Sequence, residues 1–222
     1  MVAAPYTLER RSRWLIASFN EPWSILSWCV VNGGFQRTRT AAWLHLHPDE
    51  IAGVDDPADW MRSRLHLEGL SDAVGFMTSR PALLSVESGA EEQDCRAWAL
   101  GTVGLSNALR AGDPAGKSSL GTINLLICVS LPLTTEAALE GLCLASEAKT
   151  LAVLESGTRS IVSGAAATGT GTDSIAIAWP EKGAPASYSG KHTPAGAAIG
   201  RAAFDAVTRG VAQWRDEHGG RE

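Results

Sequence analysis

The stretch Ala167-Thr168-Gly169-Thr170-Gly171-Thr172-Asp173 places three hydroxyls and a carboxylate within seven residues, and the apolar run Ser174-Ile175-Ala176-Ile177-Ala178-Trp179 follows at once. That run has the length and residue types of a buried strand. Gly169 and Gly171 make the preceding stretch a poor helix or strand interior, and they let backbone approach a ligand closely. The threonines and Asp173 then supply donors and acceptors at the mouth of the strand. A Gly-rich turn with satisfied threonines is the simpler alternative, but packing alone does not call for this density of polar groups.

Four further clusters interrupt the apolar framework. Asn32-Gly33-Gly34 reads as a turn that needs positive φ, more often a hairpin than a site. Ser106-Asn107 lies between Gly104 and Gly112, ahead of Arg110; an Asn amide offers both a donor and an acceptor to an amide substrate. Thr122 and Asn124 open a strand, and Glu147 and Lys149 close the helix expected after it. Beside an apolar stripe, Glu147 can act as a general base, whereas Lys149 reads as half of a helix-end salt bridge. Tyr188-Ser189-Gly190-Lys191-His192-Thr193 sets a Lys-His pair ahead of a helix N-terminus, the end that attracts anions, and an unperturbed His192 suits proton transfer. His45, His47, His66 and His218 have no comparable company.

Composition narrows the classes. With 222 residues, 45% of them hydrophobic, and a net charge of −5, the chain can bury a sizeable core and has no basic run for nucleic acid. No apolar stretch of spanning length stands in it, nor a signal-peptide core near the N-terminus, so no membrane partner is expected and cytoplasm is the expected compartment. Cys29, Cys95, Cys128 and Cys143 are scattered in apolar contexts without metal-ligand spacing, which reads as buried reduced thiols. No protein-held metal is expected. No GxSxG elbow, Walker A loop, HExxH or dinucleotide fingerprint occurs.

The elements that must position these groups follow from pattern. Strands are expected over Trp23 to Val31, Ala42 to His47, Val74 to Thr78, Ala82 to Val86, Cys95 to Val103, Gly121 to Val129, Leu151 to Glu155 and Ser174 to Trp179, with an acidic turn from Gly89 to Asp94. Asp56-Pro57 opens a short helix. Thr134 or Thr135 caps a second, running to about Lys149 and burying Leu139, Leu142, Cys143 and Ser146. Thr193-Pro194 starts the last, with Ile199, Ala203, Ala206, Val207, Gly210, Val211 and Trp214 on one face. The fold class is α/β or α+β, a layered sheet-and-helix sandwich in one domain over 1–222, with 1–13 a flexible arm and 215–222 a tail.

In chain order, Asn32-Gly33-Gly34, Gly75-Phe76-Met77-Thr78, the stretch Thr102 to Gly112, Gly121-Thr122-Ile123-Asn124, Pro132-Leu133-Thr134, Glu147-Ala148-Lys149, the Thr/Gly segment to Asp173 and Gly190-Lys191-His192-Thr193 resemble the adenosylcobinamide amidohydrolase family over about residues 14 to 212. The resemblance implies hydrolysis of the amide joining the aminopropanol arm to the corrin ring, giving adenosylcobyric acid and 1-aminopropan-2-ol in cobamide salvage. The partner is then adenosylcobinamide or a related corrinoid such as pseudocobalamin, no separate cofactor is required, and cobalt arrives within the substrate. A homodimer is left open.

Amide hydrolysis needs a base, oxyanion donors and an acid for the departing amine. Carried onto this chain, Asp173 or Glu147 is the base, Asn107 with backbone amides near Gly169 and Gly171 the oxyanion donors, and His192 the acid. Asn32, Ser106, Asn124, Thr168, Thr170, Thr172 and Lys191 complete the expected substrate contacts. Replacing Asp173, Glu147 or His192 is expected to cost orders of magnitude in turnover. A second resemblance bears on mechanism: Gly121-Thr122-Ile123-Asn124, Pro132-Leu133 and the Gly-Thr-Gly-Thr-Asp strand entry are similar in layout to self-cleaving aminopeptidase and ornithine-acetyltransferase-type hydrolases of αββα fold. It implies Thr122 as nucleophile, intact or after scission of Gly121-Thr122. The competing class is a non-catalytic corrinoid carrier, although no histidine here stands in the DxHxxG context of base-off carriers.

Overall fold

The computed structural model describes residues 3–51, 53–116 and 120–219. Its elements run β1 Tyr6–Arg11, β2 Trp14–Ser27, β3 Gly34–His45, α1 Pro57–Leu67, β4 Val74–Thr78, β5 Val86–Glu92, β6 Cys95–Val103, β7 Ala108–Leu109, β8 Ile123–Val129, α2 Thr135–Glu155, β9 Gly169–Thr170, β10 Ser174–Trp179 and α3 Pro194–His218. One mixed sheet carries the order β4-β3-β2-β10-β8-β6-β5, with β1 paired to β2, and β7 and β9 form a separate small ribbon.

Period-two alternation divides the central strands between two cores. On β8, Leu125, Ile127 and Val129 face α2 and α3, while Leu126 and Cys128 face inward. On β2, Leu15 and Ala17 join that same inner cluster, and Trp14 and Ile16 pack with Met61 and Leu65 of α1. A register shift between Ser18 and Trp23 bends β2 against β3, so one sheet doubles over and its halves share an inner core where Trp43 stacks on Phe76. The layers therefore read helix pair, sheet, sheet, helix. This is the sheet-and-helix sandwich expected from the pattern. Among the described residues, no helix is long and apolar enough to cross a membrane.

The helix starts are as expected: Asp56 caps α1, Thr134 accepts from Ala137 N, and Thr193 accepts from Gly196 N ahead of Pro194. α3 lies very close to β6, because Gly210 rests where any Cβ would fall 2.4 Å from Val103. Other expectations are corrected. Residues 6–11 of the supposed arm form β1, and α3 continues through 215–218 of the supposed tail; residues 1–2 and 220–222 lie outside the described residues. Ala82–Leu84 is a 3-10 turn, and β5 carries the acidic stretch as far as Glu92. Leu151 to Glu155 belongs to α2: no breaker precedes Gly157, and a short apolar run fits strand or helix equally. The buried stripe of α2 is the small-residue one, Gly141, Ala145, Ala148 and Ala152 with Leu142 and Val153, whereas Leu139 and Cys143 are exposed. Burial pushes the Cys29 thiol up to about 12, which suits an inert core residue.

Candidate active site

β8 and β10 run parallel with Asn124 opposite Ser174, so Thr122 and Asp173 enter the sheet side by side. The last strand residue of β6, Val103, pairs with Ile123 and delivers Leu105, Ser106 and Asn107 to the same edge. The β7–β9 ribbon ties Ala108 and Leu109 to Gly169 and Thr170 and roofs the cluster.

Asp173 organises it. One carboxylate oxygen accepts from Lys149 Nζ at 2.8 Å and Thr170 N at 3.1 Å, and the other accepts from Ile123 N at 3.1 Å and the Thr170 hydroxyl. Lys149 also donates to Thr168 O at 3.0 Å. Both side chains are close to fully buried, at 8% and 11% exposure. Gly169 makes the pair feasible, since a Cβ there would sit 2.3 Å from Asp173 Oδ2 and 2.4 Å from Lys149 Nζ. With four donors on two oxygens, Asp173 is spent on positioning the Thr/Gly segment. Lys149 is not at a helix end, as its sequence position suggested. It lies mid-α2 in phase with Leu142, Ala145 and Ala152, a lone cation on an apolar stripe, and that phase was the legible signal.

Above the pair, the buried Thr122 hydroxyl donates to Thr172 O at 2.8 Å, with Asn124 Oδ1 as the alternative acceptor at 3.1 Å. Asn124 Nδ2 donates to Met77 O across the folded sheet, and the Thr172 hydroxyl donates to Gly121 O at 3.2 Å. Ser106 donates to Leu120 O, and the Thr168 hydroxyl accepts from Ala111 N. Gly121 has φ +124° and lies where a Cβ would come within 2.5 Å of Ser106 Oγ and 2.6 Å of Asn107 N. Asn107 is therefore wedged between Gly121 and Gly171. Its carbonyl accepts from Gly171 N at 3.2 Å, which occupies the backbone amide expected as an oxyanion donor. Its side-chain Nδ2 is buried and has no hydrogen-bond partner among the described residues.

The remaining candidates lie elsewhere. Glu147 is two residues from Lys149, about 200° around the helix, and so points outward. It pairs with Lys191 in the open, both side chains more than half exposed, along an apolar groove between α2 and α3. His192 is exposed next to it, before the α3 N-cap. Asn32, at φ +53°, spends its amide on Ser71 O and Ala73 O in the loop between α1 and β4. Among the described residues, no three His, Cys, Asp or Glu side chains gather to ligate one metal ion.

A buried hydroxyl, an unpartnered amide donor and a fixed ion pair at the ends of two parallel strands suit acyl chemistry. The family model CbiZ, described as adenosylcobinamide amidohydrolase, matches residues 3–219. The chain belongs to this family. The match takes in every strand and helix described above, so CbiZ membership applies to the whole sandwich, and the family name marks the chain as an amidohydrolase. No curated protein matches the chain significantly. Among solved structures, the PH0078 protein from Pyrococcus horikoshii OT3 aligns over 94% of this chain and 83% of its own at 11% identity and TM-score 0.44. That likeness is too distant to bear on the CbiZ site.

Proposed function

We propose that the protein hydrolyses the amide joining the aminopropanol arm to the corrin ring of adenosylcobinamide, yielding adenosylcobyric acid and 1-aminopropan-2-ol in cobamide salvage. Family membership supports the substrate class. The observation that carries the site assignment is Asn107: a buried amide N–H without an acceptor costs about 1–3 kcal/mol, and among the described residues Nδ2 has none; it lies against Gly171, while the backbone of Asn107 packs on Gly121, the residue before Thr122.

In this reading the Thr122 hydroxyl attacks the amide carbonyl and Asn107 Nδ2 receives the oxyanion. The C–N bond breaks, the hydroxyl proton ends on the departing amine nitrogen, and water then cleaves the Thr122 ester to release the corrin carboxylate. Asp173 and Lys149 are positioning residues that hold Gly169 to Thr172 over Thr122. Entry of the arm requires that segment to move off the hydroxyl, which its glycines permit. Glu147, Lys191 and His192 take no part.

The test is incubation of the pure protein with adenosylcobinamide, followed by separation and mass identification of the corrinoids. Adenosylcobyric acid with stoichiometric 1-aminopropan-2-ol is expected. Binding without turnover would replace this reading with a carrier or with a different cobamide as substrate.

A further inference from the structure

Of the eight tryptophans, Trp28 is the most exposed, with 46% of its surface open to solvent. It is also tethered: its indole N–H donates to the main-chain carbonyl of Asp173 at 2.7 Å. The ring thus stands at the rim of the candidate site, next to the exposed Gly171 and Thr172, and cannot swing away without breaking that bond. Val30 is exposed two residues on, and Phe35, in register with Leu26 across the β2–β3 turn, is 56% exposed and rests against Trp179. A large ring held by its polar tip, with its apolar body left wet, suits contact with a ligand.

We propose that Trp28 is the platform on which the broad, largely flat corrin macrocycle lies, so that its side arm reaches past Thr172 towards Thr122. This rests on the corrinoid reading above. The tether explains why a tryptophan serves here: its N–H donates to the carbonyl of Asp173, whose carboxylate positions the Thr/Gly segment, and so registers the platform against Thr122. Trp28 is a specificity-determining residue in this arrangement and takes no chemical role.

The experiment is equilibrium dialysis of cobinamide, followed by its own absorbance, against the wild type, Trp28→Ala and Trp28→Phe, together with kcat and KM on adenosylcobinamide. Trp28→Ala is expected to raise Kd and KM about tenfold, about 1.4 kcal/mol, with kcat within about twofold. Trp28→Phe keeps a ring but loses the tether, and falls between the two in Kd. Equal Kd for all three proteins overturns the platform. So does a loss confined to kcat in both variants, because that pattern belongs to a residue that only ties down the Asp173 loop. Wild-type binding without turnover, still weakened in Trp28→Ala, would sink the hydrolysis reading and leave the platform standing. Failure of the wild type to bind cobinamide would overturn both.

Discussion

Two polar regions flank α2, and they differ in how much of their surroundings they control. On the sheet side, Lys149 and Asp173 are buried, and the carboxylate takes four donors. On the solvent side, two residues earlier in the same helix, Glu147 meets Lys191 as an open ion pair. Both combine an acid with a lysine and look alike in sequence. Water separates them: the outer pair keeps its hydration and is screened by salt, whereas the inner pair has lost it and must be satisfied by the protein. Only the inner pair can hold a loop against a hydroxyl with the accuracy that amide hydrolysis needs.

Removing one partner of the inner pair should show the largest effect. Lys149→Met leaves a buried carboxylate uncompensated and is expected to lose about 3–5 kcal/mol in chemical denaturation, while the double variant Lys149→Met/Asp173→Leu recovers part of that loss. The same single change on the outer pair, Lys191→Met, should shift stability by less than about 1 kcal/mol. Comparable losses at the two sites would erase the distinction.

Next in size is the amide donor. Asn107→Ala should lower kcat by about 10²–10³ with a near-native melting temperature, as removal of an oxyanion donor does. An unchanged kcat would remove Asn107 from the chemistry and make its unpartnered N–H a packing cost.

A smaller effect links the end of β6 to α3. Arg80, buried against Gly104 at the end of β6, makes a two-pronged bond to Glu217 at 2.7 and 2.8 Å, and this holds the Glu217 carboxyl below its ordinary range. A depressed folded pKa contributes stability above the unfolded value and loses it as pH falls through the folded one. The melting-temperature gap between wild type and Glu217→Gln should therefore be full near neutrality and close as pH falls from the ordinary carboxylate range through the depressed one. A gap independent of pH would mean that packing, not charge, carries the contact.

Much of this frame was legible beforehand. β6 and β10 have the expected bounds because each is a compact apolar run with polar or Gly-rich flanks, and Thr193-Pro194 marked the start of α3. The convergence of Thr122, Asn124, Asn107 and the Thr/Gly segment also agrees with where their strand ends pointed. What pattern did not carry was long-range geometry. β2 and β3 are long because they bend, and the polar Asn20-Glu21-Pro22 at the bend hid their continuity. The phase of α2 decided which of Glu147 and Lys149 faces the sheet, and an apolar run read as a strand cut that helix short, so that Lys149 looked terminal. The tryptophans of the first half, Trp28 among them, could be read as apolar surface for a corrin ring or equally as core, but the tether of Trp28 to a carbonyl 145 residues away left no local sign.

The central claim is that the inner region performs hydrolysis and the outer one does not. Turnover of adenosylcobinamide by Thr122→Val and Glu147→Gln, measured side by side with melting temperatures and intact masses, tests it most directly. Expected are an uncut chain of about 23.3 kDa, activity lost by more than about 10³-fold in Thr122→Val, and activity within about twofold of wild type in Glu147→Gln. Near-wild-type turnover by Thr122→Val, or its collapse in Glu147→Gln, would contradict the account and move the active site to the outer face of α2.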